Sequence, residues 1–223
     1  MSLAGKNRKV YSYNNIDRRN SNFTYKDFEK SCSYHSNFSG CNFTAASLRA
    51  AKFKFCSFYG AVFNQTEFIG TNLRGCNFSK ATFVDAIFNA AVLDRANFSG
   101  ATFQNTIFLN TGISTAKNFP ENTDGIIWLS HMPAYSEFSR NLLDAVESLR
   151  ENDIVRRSNV LYLKRGKINT LSLYILRQSF SEEELIKAFS ALPEHITTQF
   201  HTVSYLQGNS IYFFAKRLTP MLY

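Results

Sequence analysis

The 223 residues include one tryptophan, ten glycines and four cysteines, and only 19% of them are charged. Each scarcity excludes something. Sparse charge rules out a histone-like tail, although 25 Lys and Arg against 17 Asp and Glu leave a net charge of +8 and a pI near 9.4. No apolar run approaches the roughly 20 residues that a bilayer-crossing helix needs. Residues 1–20 contain no apolar stretch of the kind that directs secretion. The cysteines Cys32, Cys41, Cys56 and Cys76 form no CxxC pair, so zinc spacing is missing. Of the histidines His35, His131, His195 and His201, none lies three to five residues from another, so no helical metal pair exists. There is no glycine-rich phosphate loop, no GxSxG and no HExxH. The sequence therefore predicts no catalytic residue, no metal and no cofactor. Apolar residues at 44% still promise a substantial core.

Phenylalanine is abundant, with 22 copies. From Phe23 to Ile113, every fifth residue belongs to one series of 19 positions: 14 Phe, three Leu (Leu48, Leu73, Leu93), one Ile and Ser33. Two residues before each runs a second series of Ala, Ser, Thr and Cys, broken only by Lys26. On a strand, residues five apart point to opposite faces. On an α-helix, five steps of 100° scatter the rings around the axis. A chain that turns a corner every five residues buries both series, with the ring filling the centre and the small residue fitting the tight edge. Gly40, Gly60, Gly70, Gly75 and Gly100 stand two residues after the ring, where a turn is needed.

"CNFTA" (41–45), "TNLRG" (71–75), "CNFSK" (76–80) and "ANFSG" (96–100) resemble the pentapeptide-repeat family, whose consensus is a small residue, Asn or Asp, Leu or Phe, and two variable residues. The resemblance implies a mainly β fold, a right-handed quadrilateral β-helix with four pentads per coil. Residues 20 apart then stack, and Ser33, Leu73, Leu93 and Ile113 fall on one face. Nineteen pentads make about five coils. At roughly 1.5–3 kcal/mol for each buried Phe or Leu, the centres offset the entropy of ordering the chain. Ser33 and the loss of register at Asn118–Phe119 mark ends that need caps.

Stacking by 20 defines four outer walls. One, around Phe53, Leu73 and Leu93, carries Lys52, Lys54, Arg74 and Arg95 with Asp94 as its acid, a surface for nucleic acid or an acidic partner, or else a solvated face. Another, around Phe68, Phe88 and Phe108, carries Ile69, Ile87, Ile107 and Leu109, an apolar ribbon for a partner, a second copy or the C-terminal segment. The remaining two are mostly Asn, Ser, Thr and Gln. The resemblance also brings the protection of type II DNA topoisomerases by acidic, DNA-like rods. Residues 21–115 contain eight bases and five acids, net +3, which opposes that role.

Three regions are expected: a basic N-terminal arm or cap (1–20), the β-helix (21–118) and a small α+β cap or domain (119–223). In the last, 136–150 and 181–192 read as helices, the second opened by Ser181 and Glu184 in capping-box spacing. Residues 159–176 read as two strands about Arg165–Gly166–Lys167, and 196–218 as a pair about Gln207–Gly208–Asn209. "IIWLSHMP" (126–133) looks like the segment after the β-helix in bacterial HECT-like ubiquitin-ligase effectors. Those enzymes need a later catalytic Cys, whereas the last Cys here is Cys76.

The expected protein is a non-enzymatic scaffold that binds another protein, or itself as a homodimer, through its walls. Nucleic acid, a membrane span and a small-molecule substrate are not expected. Four thiols, three of them at inward positions, suit a cytoplasmic setting; the alternative is a secreted bacterial effector without the ligase lobe.

Overall fold

The computed structural model describes residues 10–211, and the chain divides into two compact units after His131. In the first unit the backbone turns at every fifth residue. All 20 residues spaced by five from Asn15 to Asn110 have φ between 48° and 68°, the left-handed region. Five are glycine; the other 15 carry side chains that disfavour this conformation by roughly 1 kcal/mol each. A Phe or Leu buried in most of these pentads contributes about 1.5–3 kcal/mol, so burial outweighs the corner.

The segments between corners stack in parallel with a register of 20 residues. Strands β1 (Ser12–Asn14), β2 (Cys32–Tyr34) and β3 (Lys52–Lys54) form one wall. A second is the bridge series Asn37–Ser57–Asn77–Asn97. Strands β4 (Val62–Asn64), β6 (Thr82–Val84) and β8 (Thr102–Gln104) make the third. The fourth contains β5 (Glu67–Ile69), β7 (Ile87–Asn89), β9 (Thr106–Leu109) and β10 (Ile126–Leu129). Inside, Phe43, Phe63, Phe83 and Phe103 form one column, with centroids 5.2, 5.1 and 5.0 Å apart and planes within 15°.

The small inward series does more than fit. Thr66 Oγ1 donates to the Phe43 carbonyl at 2.8 Å, Thr71 to Leu48 at 2.7 Å, Thr106 to Phe83 at 3.0 Å, and Cys76 Sγ to Phe53 at 3.0 Å. Each ties one coil to the coil before it, which explains polar residues in a buried slot. Outside, the Asn before the ring closes the corner: Asn42 Oδ1 accepts from the Thr44 amide at 2.9 Å and the Thr44 hydroxyl at 2.6 Å. Asn22, Asn37 and Asn77 repeat the pattern, the reason for the recurring "NF[ST]".

The solenoid is longer at both ends than the periodicity indicates. Tyr13 takes the centre position beneath Ser33, and Asp17 bridges to Asn37, so residues 12–17 belong to the first coil instead of a free arm. That gives about six turns where five were expected. Lys6, Arg8 and Lys9 lie outside the described residues. At the far end Phe119 swings off the period and lays its ring against Phe98, Phe103 and Phe108 at 5.3, 5.3 and 5.8 Å, closing the core. Strand β10 then rejoins the stack, its Trp128 in register with Phe108. Gly125 is obligatory there, since a Cβ would sit 2.0 Å from the Phe103 carbonyl oxygen.

Among its described residues the second unit is helical, where an α+β region was expected. Helices α1 (Arg140–Ser148), α2 (Asp153–Ser158), α3 (Thr170–Arg177), α4 (Glu182–His195) and α5 (Val203–Tyr205) follow in order. The two expected helices are present, and Ser181 and Glu184 close the capping box as read. The first expected strand pair shrinks to one antiparallel bridge, Tyr162 with Ile168. From Thr170 the chain is helical because Asn169 gathers the Val160 carbonyl and the Ser172 hydroxyl at its start. The second pair is replaced by α5 and a π-turn, Leu206–Ile211; residues 212–218 lie outside the described residues.

Ser33 is the weak point of the first unit. Its hydroxyl is buried and has no hydrogen-bond partner among the described residues. Ser33→Ala should therefore raise stability by about 1 kcal/mol, seen as a higher urea midpoint at unchanged slope.

Candidate interaction surface

The wall of β1, β2 and β3 carries Lys52 and Lys54, with Arg74 stacked one coil on, while Arg95 stands at the corner of this wall, in the left-handed column of His35, Phe55 and Gly75. Lys52 and Lys54 flank buried Phe53 on β3, so their side chains leave the sheet on the same side. Arg74 lies one coil on and is partly neutralised: its Nη2 is 3.2 Å from Asp94 Oδ2, both groups being about half exposed. Thr115 Oγ1 also donates to Asp94 at 3.2 Å. Lys52, Lys54 and Arg95 make no ion pair among the described residues. An exposed pair such as Arg74–Asp94 contributes under about 1 kcal/mol. Its consequence is that the one acid of this wall is occupied.

Beside these cations stands a feature that the charge reading missed. At the corner between this wall and the next, His35 and Phe55 stack with centroids 5.4 Å apart and planes 16° apart. Tyr34 meets Phe55 edge-on at 5.5 Å. Tyr34 and Phe55 are 41% and 38% exposed. Stacking by 20 places His35 and Phe55 in one corner column, so a register argument extended to corner residues finds them.

The apolar set is differently placed. Ile69 is half-buried, while Ile87, Ile107 and Leu109 are buried. Buried side chains offer no open area to a partner. The same wall contains an ion pair absent from the sequence reading, Arg49 Nη2 with Glu67 Oε2 at 3.5 Å, whose carboxylate is almost fully buried. Removing one partner of such a pair is far more damaging than its net contribution suggests.

The thiols of Cys41, Cys56 and Cys76 are free and buried, and Cys32 is free and exposed. Burial pushes the Cys76 and Cys41 thiols up, which keeps them protonated. Cys41 donates to the Arg18 carbonyl at 2.9 Å. Cys41 and Cys76 thus brace coils and make poor nucleophiles, while the hydrogen bond with Cys76 holds the Cys56 thiol below its usual range. Among the described residues no group of three or more His, Cys, Asp or Glu is placed to hold a metal. Nor is any described helix long and apolar enough to cross a membrane.

Four-sided coils, parallel ladders with a 20-residue register and a ring every fifth residue define a β-solenoid repeat protein. Residues 34–65 and 71–110 match the family of pentapeptide repeats in eight copies, and the solenoid is a pentapeptide-repeat β-helix. Solved structures similar to it include a pentapeptide repeat protein of the Arabidopsis thaliana thylakoid lumen, 20% identical over 42% of this chain and 68% of that one, with a TM-score of 0.27. QnrB1, a plasmid-mediated fluoroquinolone resistance protein, is 16% identical over 54% of this chain and 91% of its own, with a TM-score of 0.30. HetL, involved in heterocyst differentiation regulation in Nostoc, is 14% identical over 47% and 61%, with a TM-score of 0.20. No curated protein matches this chain.

Gly75 seats the exposed ring. A Cβ at Gly75 would lie 2.4 Å from Phe55 Cδ1, and its φ of +68° already disfavours any side chain. Gly75→Ala should lower stability by about 1–2 kcal/mol and expel the Phe55 ring. In a Phe55→Gly background the steric part vanishes and only the backbone part of about 1 kcal/mol should remain. Urea unfolding of the four proteins in this cycle measures both.

Proposed function

We propose that this protein is a non-enzymatic interaction scaffold that holds an acidic protein partner on the wall of Lys52, Lys54, Arg74 and Arg95. The observation that carries the reading is a rigid face with fixed cation spacing. Coils about 4.8 Å apart, locked by backbone ladders and side-chain donors, fix the backbone beneath Lys52 and Lys54 on the wall and beneath Arg95 at its corner, which supports the reading. None of the three makes an ion pair among the described residues. Fixed, unpaired charge on a preorganised sheet steers an oppositely charged partner and lowers the entropy lost on docking. Pentapeptide-repeat β-helices are generally non-catalytic structural or interaction proteins, which accords with this assignment. A net basic rod also differs in sign from a duplex mimic.

The test is charge reversal of the full chain, with Lys52, Lys54, Arg74 and Arg95 all changed to Glu. Arg74 excepted, these side chains make no ion pair among the described residues, so unfolding should move by no more than about 0.5 kcal/mol per site. Protein recovered with the variant after cross-linking in the producing cell should fall about tenfold relative to the parent. An unchanged set of cross-linked proteins would overturn the proposal.

A further inference from the structure

The rings at the corner of the basic wall narrow the partner further. Most corners of this solenoid hold Gly, Ala, Asn or a long polar residue, but two consecutive coils of one column hold His35 and Phe55. Phe55 adopts φ of 54°, a conformation that a bulky side chain avoids, and yet leaves its ring 38% exposed. Backbone strain there brings no full burial in return. Tyr59, another exposed ring, lies under a cation, with Lys80 Nζ 5.5 Å from its centroid. Phe55 has no such cover among the described residues.

What Phe55 offers is set by what surrounds it. His35, from the preceding coil, occupies one face at 5.4 Å. Gly75, from the following coil, lies so close that even a methyl group would overlap the ring. Tyr34 leans on it at 75°. The ring is thus clamped between coils, with His35 on one face and the Gly75 backbone against its Cδ1–Cε1 side. Ring edges carry the positive end of the aromatic quadrupole, whereas a nucleobase needs an open face to stack on. Lys54 lies in register with Tyr34 on the adjoining strand, and Lys52 is on the same strand. Positive ring edges next to two unpaired ammonium groups suit carboxylates and an apolar side chain lying beside them.

We infer that Tyr34, His35, Phe55, Lys52 and Lys54 form an anchor site for an acidic, apolar-containing segment of a protein partner. This deepens the scaffold reading and rests on it. The rings supply a desolvated, preorganised contact of the kind that dominates interface energies, and the lysines supply orientation.

The test uses the full chain and fluorescence anisotropy with two labelled probes, a peptide of glutamates interspersed with leucines and an oligothymidine of equal charge. Two variants report on the site: Phe55→Gly, which suits the left-handed corner and removes the ring safely, and Lys52→Glu with Lys54→Glu. The peptide should bind the parent, and each variant should weaken it about tenfold. Oligothymidine should bind at least about tenfold more weakly than the peptide and be indifferent to Phe55→Gly. Peptide binding that ignores either variant, or a Phe55-dependent preference for oligothymidine, overturns the anchor. If the anchor fails while the fourfold reversal still depletes cross-linked partners, the scaffold reading survives with its contact elsewhere on the wall. If the fourfold reversal depletes nothing, the scaffold reading fails, whatever the peptide does.

Discussion

Everything in the first unit depends on the pairing of a buried ring with a left-handed corner two residues later. The corner alone is unfavourable, and a tract of such corners would be unstable in an isolated pentad. Stacking changes the balance, because each coil gives the next a floor of rings about 5 Å away and a ladder of amides and carbonyls in register. Stability therefore accrues between neighbours along the rod, as in other quasi-one-dimensional folds. The hydroxyls and thiols of the small inward series reinforce the same direction, since Thr66, Thr71, Cys76 and Thr106 all donate to carbonyls 23 residues earlier.

This dependence explains which features the amino-acid order disclosed. The five-residue period is geometric: no ordinary strand or helix buries it, so Phe43, Phe63 and Phe83 could be placed inside one column from spacing alone. The ends were obscured because they break the period while keeping the stack. Tyr13 sits at a centre position without a small residue two before it, since Tyr11 occupies that slot, and Phe119 closes the core from outside the period. The helical unit was harder for a different reason. Residues 159–176 alternate enough apolar and polar groups to read as strands, but the network around Asn169 nucleates α3, a contact between residues nine apart that no local pattern announces.

The candidate surface shows a similar division. Lys52, Lys54 and Arg74 follow directly from a 20-residue register along one wall, whereas Arg95 falls in the corner column 20 residues after Gly75. Pairing of Arg74 with Asp94 depends on side-chain geometry, and the stacked corner depends on what Gly75 lacks. An absent side chain is a weak signal in a sequence already rich in corner glycines. Ile87, Ile107 and Leu109 point outward by the same register but are buried, because register gives direction and not surroundings.

The central claim is that rings recur with the coil and not merely along the chain. Duplicating residues 61–80 within the full protein adds one whole coil and keeps every later side chain on its wall. Duplicating 61–78 adds nearly the same mass out of phase. Urea unfolding of the two proteins tests the claim directly: the in-phase variant should unfold in one transition, with a midpoint no lower than the parent's and a steeper slope from its added buried surface. The out-of-phase variant should lose several kcal/mol, on the order of two buried rings. Equal stability of the two insertions would contradict the account.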